Sequence, residues 1–165
     1  MNLVSLLDAE AVASVLVGSF AGVETADQKA LLFARGARAL ADAGVDRHGD
    51  ACAFFVPGRV EVLGKHTDYA GGRSMVAALE RGFCIVAHPR TDAGVRVLAV
   101  ELDETVDCEC VPDLEVPHGT WSNYPMTVVR RLSRNFGAAL QGADIAFLSD
   151  LPPAAGMSSS SALMV

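Results

Sequence analysis

One segment of this chain, residues 57–69, combines cationic, imidazole and carboxylate side chains within a few positions of a strand-like apolar run at 54–56. After a Pro-Gly pair come the side chains that can bind a polar ligand: Arg59, Lys65, His66, Thr67 and Asp68. A polyhydroxylated ligand needs this mixture of hydrogen-bond donors and acceptors. The alternative interpretation is an ordinary strand, a Pro-Gly turn and a second strand carrying surface charges.

A second segment, residues 151–162, is rich in small residues and serine and follows the apolar run 145–148. Small residues let the backbone approach a ligand, and serine hydroxyls can bind phosphate oxygens or a metal. The sequence predicts a helix that begins near Ala162, whose unpaired N–H groups favour phosphate. The segment lacks the Gly-Lys-Ser/Thr of a Walker loop and the last glycine of a hydrolase elbow. The alternatives are a linker or a helix cap.

Both segments, together with Trp121-Ser122-Asn123-Tyr124, resemble galactokinases of the GHMP kinase superfamily. Galactokinases typically read Gly-Arg-x-Asn-x-Ile-Gly-Glu-His-x-Asp-Tyr, then Trp-x-Asn-Tyr, then Pro-x-x-x-Gly-Leu-Ser-Ser-Ser-Ala. The order and spacing agree over about residues 51–165. The sequence departs from the pattern in four ways: Glu61 for Asn, Lys65 for Glu, Met157 for Leu, and Ser161-Ala162 in inverted order.

The resemblance implies a cytoplasmic, ATP-dependent sugar kinase of galactose metabolism that transfers a phosphoryl group to galactose and uses Mg²⁺. Arg59 would lie beside the transferred phosphate as a catalytic residue, or form a structural ion pair. The sugar would contact Lys65, His66, Thr67 and Asp68. The adenine would lie between Trp121 and Tyr124, which are otherwise core aromatics. The phosphates would be wrapped by Ala154, Ala155, Gly156, Met157, Ser158, Ser159 and Ser160, with Ser160 also binding the metal.

Two alternatives to a galactokinase remain open. Lys65 reverses the charge of a sugar-contacting glutamate, so the substrate is either galactose or another sugar, such as arabinose or a uronic acid. A catalytically inactive regulator that binds sugar and ATP is the other alternative.

The resemblance also implies a considerably longer protein than these 165 residues. We expect residues 1–45 to form a helical lead-in and residues 46–165 an incomplete GHMP kinase N-terminal domain, similar to the second domain of ribosomal protein S5. The C-terminal domain, the catalytic aspartate and an acidic metal ligand are expected after Val165. We therefore predict that this chain alone is inactive and that its uncovered apolar surface promotes self-association.

Composition argues against several classes of protein and partner. Hydrophobic residues make up 51% of the chain and the formal net charge is -7 without a basic cluster, which argues against disorder and against nucleic acid. The sequence predicts no secretory signal and no membrane span. The four cysteines are expected to be reduced, with Cys52 and Cys84 in the core, and the spacing of Cys108 and Cys110 disfavours a zinc site.

Hydrophobic periodicity predicts an α+β fold. Helices are expected at 4–16, at 29–43 with an Asp27 cap and a stop at Gly44, and from about Pro125 to Phe136. Predicted strands cover 51–56, 60–63, 83–88, 95–100 and 144–149, and residues 92–94 are expected to form a hairpin turn.

Overall fold

The computed structural model describes residues 1–19, 22–64, 67–137, 140–152, 157 and 159–165. In chain order the elements are α1 (Leu3–Leu7), α2 (Ala9–Ser19), α3 (Val23–Asp42), β1 (Cys52–Leu63), β2 (Met75–Pro89), β3 (Gly94–Ala99), β4 (Glu104–Glu109), α4 (Asn123–Phe136), β5 (Ala143–Ser149) and α5 (Ser159–Met164). A short 3₁₀ turn, Asp68–Ala70, lies between β1 and β2. The predicted mixture of helices and strands is confirmed.

The five strands form one mixed sheet in the order β1-β2-β5-β3-β4. Strand β5 runs antiparallel to β2 and parallel to β3, so it lies between two strands that are neighbours in sequence. The prediction of a hairpin at residues 92–94 is therefore wrong. The chain does turn there, but the β2–β3 hydrogen bonds of a hairpin are replaced by the bonds that each strand makes to β5.

The amino-terminal helices differ from the predicted helices at their boundaries. A single helix at 4–16 is wrong, because the carboxylate of Asp8 accepts a hydrogen bond from the N–H of Ala11 (3.1 Å) and starts α2. Helix α3 begins at Val23 with Gly22 as its N-cap, five residues before the predicted cap Asp27. The stop at Gly44 is confirmed by its positive φ of 92° and by Val45, whose N–H donates to the Leu40 carbonyl at 3.0 Å.

The other predicted strands and α4 are confirmed within a few residues, with two exceptions. Strand β4, which had no predicted counterpart, pairs with β3 along residues 104–109. Strand β2 begins at Met75 rather than at Phe83, so β1 and β2 form a long hairpin. The outer end of this hairpin carries exposed apolar side chains: Val60, Val62, Leu63, Met75 and Val76.

Helices cover both faces of the sheet, to different extents. On one face α1, α2 and α3 bury the main core, which includes Leu6, Phe33, Leu40 and Val86. On the other face α4 and α5 leave an apolar cavity of about 350 Å³ against the sheet.

The prediction that Cys52 and Cys84 lie in the core is confirmed for one of the two residues. Cys84 is 1% exposed in the core, whereas Cys52 is exposed at the start of an edge strand.

Candidate functional site

The arginine of the first segment lies beside the serine-rich segment. The backbone N–H of Arg59 in β1 donates a hydrogen bond to the carbonyl oxygen of Met157 at 3.1 Å, and the Arg59 side chain is exposed. The two residues are 98 positions apart in sequence (157 minus 59). The structure therefore brings together the two segments that the sequence separates.

Gly58 permits this contact because it has no side chain, and its neighbours leave no room for one. A Cβ atom at this position would lie 2.6 Å from Leu151 Cδ2 and 3.2 Å from the Met157 carbonyl oxygen. The predicted Pro-Gly turn is wrong: β1 continues through both residues with an irregularity between Pro57 and Arg59. An edge strand tolerates Pro57, which has no N–H to donate, and the irregularity turns Gly58 towards the serine-rich segment.

The polar residues of the first segment follow at the outer end of the β1–β2 hairpin. Gly64 has a φ of 83°, and a Cβ there would lie 2.3 Å from the Arg73 carbonyl oxygen, so only glycine closes this turn without strain. The Thr67 hydroxyl donates to the Gly64 carbonyl at 2.7 Å and lies 3.2 Å from that of Arg73. Asp68 begins the 3₁₀ turn. Lys65 and His66 lie outside the described residues, so their roles stay predictions.

The predicted adenine-binding aromatics line a shallow cavity before α4. Trp121, Asn123 and Tyr124 surround about 400 Å³ together with Gly119 and Thr120, a volume in the range of small-molecule sites. The indole N–H of Trp121 donates to the Glu104 carboxylate of β4, and both aromatic rings are half-buried. The cavity therefore has room for a ring beside Trp121, while Glu104 fixes the orientation of the indole.

A chain of aromatic contacts connects this cavity to the serine-rich segment. The Trp121 ring meets Phe147 of β5 edge-on at 5.6 Å between centroids, and Phe147 lies 5.8 Å from Phe83 of β2. Phe83 forms a buried cluster with Leu151 and Ala162, against which Met157 also packs. The candidate adenine and phosphate regions thus lie on one face of the sheet.

Of residues 154–160, which are expected to bind the phosphates, the structure describes Met157, Ser159 and Ser160. Helix α5 begins at Ser159 rather than near Ala162, with Ser159 exposed and Ser160 half-buried. Ala154, Ala155, Gly156 and Ser158 lie outside the described residues. Among the residues that the structure describes, no group of three or more His, Cys, Asp or Glu side chains is placed to hold a metal ion.

Sequence reasoning missed two residues that fix the start of the serine-rich segment to β2 and α3. The carboxylate of Asp150, at the end of β5, accepts from the Gly82 N–H at 2.7 Å and pairs with Lys29 of α3 at 2.5 Å. Lys29 is 0% exposed. Asp150, two positions before Pro152, could be recognised as a turn residue, but a lysine on an amphipathic helix is ordinarily read as a surface residue.

Burial sets the chemistry of the thiols. Desolvation raises the pKa of the Cys84 thiol to about 12, with Lys29 lowering the pKa and Asp150 raising it to smaller extents. Desolvation, with the neighbouring Cys110 and Asp107, likewise raises the pKa of Cys108 to about 11. All four thiols are free. At Cys84 and Cys108 the raised pKa favours the protonated thiol, which argues against nucleophilic or metal-binding chemistry at these two cysteines.

None of the helices in the described part of the chain combines the length and the apolar character needed to cross a membrane.

The sequence matches two family models that together cover both segments. Residues 45–89 match the galactokinase galactose-binding signature. Residues 123–165 match the GHMP kinases N terminal domain. The chain is therefore similar to proteins of the GHMP kinase superfamily, and its fold is that of the superfamily's N-terminal domain.

Curated relatives of this chain include galactokinases. The galactokinase of Roseiflexus sp. (strain RS-1) is 44% identical over 109 residues, which cover 66% of this chain and 27% of that protein. The galactokinase of Actinobacillus pleuropneumoniae serotype 5b (strain L20) is 37% identical over 115 residues, 70% of this chain and 30% of that protein. The matched region thus spans less than a third of these relatives.

Solved structures agree with this assignment. The crystal structure of Lactococcus lactis galactokinase complexed with galactose matches 77% of this chain and 33% of that chain, with a TM-score of 0.67 and 26% identity. The crystal structure of Methanococcus jannaschii mevalonate kinase matches 70% of this chain and 38% of that one, with a TM-score of 0.57 and 17% identity, which supports the fold alone.

Proposed function

We propose that this chain supplies the sugar site and the phosphate-binding segment of an ATP-dependent sugar kinase that converts galactose to galactose 1-phosphate. The galactokinase relatives and the galactose-binding signature support the substrate class. Because the chain spans less than a third of those relatives, the complete reaction belongs to a longer protein. In that protein residues 46–165 would form the N-terminal domain and residues 1–45 its helical lead-in.

The observation that carries the proposal is the contact of Arg59 with Met157. Phosphoryl transfer depends on holding an acceptor hydroxyl close to the terminal phosphate and on stabilising negative charge there. The hydrogen bond between the Arg59 N–H and the Met157 carbonyl oxygen fixes the backbone of residue 59 next to the serine-rich segment, and the Arg59 side chain is exposed. A cation at that point favours the charge that develops on the transferred phosphate.

The remaining residues divide between the two substrates. Lys65, His66, Thr67 and Asp68 would bind the sugar hydroxyls, with Asp68 accepting from two of them. Trp121 and Tyr124 would stack on the adenine. The backbone and hydroxyls of residues 154–160 would bind the phosphates, and the Ser160 hydroxyl is a hard oxygen ligand of the kind that Mg²⁺ prefers. Magnesium-bound ATP would supply the transferable phosphoryl group.

Sugar binding by this chain tests the first half of the proposal. In a galactose titration followed by amide NMR, we expect shifts at Thr67, Asp68 and Ala70, and none with glucose, the C4 epimer. Asp68→Asn should abolish the shifts, because it removes a charged acceptor. Asp113→Asn, an exposed carboxylate near α4, is the control and should leave them unchanged. Equal responses of the two variants would refute the assignment.

Turnover tests the second half. Residues 1–165 alone should release no ADP in the presence of galactose above a blank without sugar, because the resemblance assigns the catalytic base to sequence after Val165. The longer protein should release ADP. Sugar and ATP binding without turnover in the longer protein would instead support an inactive regulator.

Lys65 favours a second candidate substrate, a sugar that carries a carboxylate. Lysine cannot accept the hydrogen bond that the family's glutamate accepts, and an ammonium group can pair with a uronic acid. A site built to bind a hydroxyl discriminates by about 10⁴-fold or more against a mismatched ligand. In the longer protein, Lys65→Glu should therefore raise the ratio of kcat/KM for galactose over galacturonate. An unchanged ratio would exclude Lys65 from the sugar site.

A further inference from the structure

Lys29 is a fully buried cation in a helix that otherwise serves the core. It projects from α3 so that its Nζ lies 2.5 Å from the Oδ2 atom of Asp150 and 4.7 Å from the centroid of the Phe55 ring. A buried ammonium group is costly unless it is paired and hydrogen-bonded. Asp150, with 29% of its side chain exposed, supplies that partner.

The partner carboxylate is also held on its other side. Its Oδ1 atom accepts from the Gly82 N–H at 2.7 Å, and the Asp150 N–H donates to the Gly82 carbonyl at 3.3 Å. The Ser149 hydroxyl donates to the same carbonyl at 3.3 Å and accepts from the Leu151 N–H at 3.1 Å. The chain leaving β5 is therefore bound to β2 by three hydrogen bonds and to α3 by one ion pair, and the Leu151–Ser149 hydrogen bond closes its local turn.

Two residues that follow Asp150 in the chain, Leu151 and Met157, contact β1. Leu151 is 9% exposed and packs where Gly58 has no side chain, and Met157 accepts the hydrogen bond from the Arg59 N–H. A displacement of Asp150 would move Leu151, which is its neighbour in the chain. It would also weaken the packing that keeps Met157 at Arg59.

We propose that Lys29 is a positioning residue, which acts through Asp150 to hold Leu151 and Met157 of the serine-rich segment against Gly58 and Arg59 of β1. The assignment of that segment to the nucleotide phosphates rests on the proposed function; the positioning does not. An apolar pair of similar volume commonly stabilises a fold as well as a buried ion pair does. Stability alone therefore does not explain why a lysine is buried at position 29. The orientation that Lys29 gives to the Asp150 carboxylate does explain it.

Amide hydrogen exchange tests the inference without any ligand. Lys29→Met keeps the length of the side chain and removes its charge, so the Asp150 carboxylate should turn towards solvent. We expect exchange of the Arg59 amide to accelerate by about tenfold or more, equivalent to ~1.4 kcal/mol of local opening. The control is Leu40→Ala, which truncates a 0% exposed side chain at the other end of the same helix. It should destabilise the whole chain without singling out Arg59.

Asp150→Asn provides a second variant and a rescue. It removes the charge but keeps an acceptor for the Gly82 N–H. In Lys29→Met/Asp150→Asn no unpaired carboxylate remains, so Arg59 protection should recover relative to Lys29→Met alone. Equal acceleration at Arg59 in Lys29→Met and Leu40→Ala, or no recovery in the double variant, would overturn the inference. If Lys29→Met does not fold, acceleration at Arg59 in Asp150→Asn decides the matter, and its absence refutes the role.

A titration with magnesium ATP separates this inference from the proposed function. If the chain binds no ATP but Lys29→Met still accelerates exchange of the Arg59 amide selectively, the positioning role stands. The assignment of the serine-rich segment to the nucleotide phosphates is then contradicted. ATP binding that Lys29→Met leaves unchanged, with Arg59 exchange also unchanged, refutes the positioning role and keeps the assignment.

Discussion

Replacement of Gly58 by alanine tests the contact on which the site depends. The added methyl would lie 2.6 Å from Leu151 Cδ2, 3.2 Å from the Met157 carbonyl oxygen and 3.4 Å from the Arg81 carbonyl oxygen. The closest of these atoms ends a flexible side chain, but Leu151 packs in a buried cluster with Phe83 and cannot rotate freely. The change therefore forces the serine-rich segment away from β1.

Two opposing effects set the magnitude for Gly58→Ala. Overpacking a well-packed site costs about 1–3 kcal/mol. Loss of backbone freedom in the unfolded chain returns about 0.4–1 kcal/mol. Steric overlap wins, and we expect the free energy of unfolding to fall by about 1–2 kcal/mol, or Tm by roughly 2–8 °C for a chain of this size.

Urea unfolding followed by the fluorescence of Trp121, the one tryptophan of the chain, measures this change. Gly22→Ala is the matched control, because a Cβ at Gly22 meets nothing within 4 Å and its φ of -69° suits alanine. Because Gly22 is the N-cap of α3, where alanine is a poorer cap, this change should lower the free energy of unfolding by less than about 1 kcal/mol.

Leu151→Ala tests whether Leu151 Cδ2 is the atom with which the methyl group of Gly58→Ala collides. Alone it should cost about 2–5 kcal/mol by leaving a cavity. Combined with Gly58→Ala it should cost less than the sum of the two single changes, by about 1 kcal/mol, because the methyl then occupies part of the cavity. Additive costs, or indistinguishable results for Gly58→Ala and Gly22→Ala, would refute the packing argument.

Three further predictions follow from burial and charge. With its thiol pKa raised to about 12 by burial, Cys84 should resist a thiol reagent at pH 8 in the folded chain while exposed Cys52 reacts, as mass-spectrometric mapping of the label would show. The hydrogen bonds from Arg90 lower the pKa of Asp92 from 3.8 to about 2, so the stabilisation is complete above pH 3.8 and disappears as pH falls through about 2. Carboxyl NMR should give that midpoint, and Arg90→Ala should return it towards 3.8. The exposed apolar side chains at the outer end of the β1–β2 hairpin should make the 165-residue chain self-associate, which light scattering would detect as a concentration-dependent mass.

Local sequence patterns predicted the elements in which one periodicity dominates. Strand β5 alternates buried and half-buried residues along its whole length, and the stretch Asn123–Phe136 has a clear apolar stripe. Strand β4 escaped prediction because its Glu, Asp and Cys residues form a largely exposed edge strand with no apolar run. The predicted Pro-Gly turn failed for a related reason. Pro57 and Gly58 ordinarily mark a turn, but an edge strand accommodates both as an irregularity.

Motif spacing predicted which segments carry polar chemistry but not what holds them together. Arg59 stands out in sequence, whereas its contact with Met157 is made by the backbone and leaves no trace in residue type. The Trp121 indole is oriented by Glu104 of the unpredicted strand and rests on Phe147, which sequence alone shows only as another apolar residue of β5. Such supporting contacts depend on the strand order, which the local pattern does not determine.

The Lys29–Asp150 pair is the clearest case of this limit. The two residues are 121 positions apart, and each has an ordinary local explanation, Lys29 as a surface charge of an amphipathic helix and Asp150 as a turn residue two positions before Pro152. Only the insertion of β5 between β2 and β3 brings the end of β5 beneath α3. The same insertion places Asp150 next to Gly82 and Leu151 next to Gly58. One topological feature therefore determines both the buried ion pair and the meeting of the two polar segments, so a change that loosens the end of β5 should affect them together.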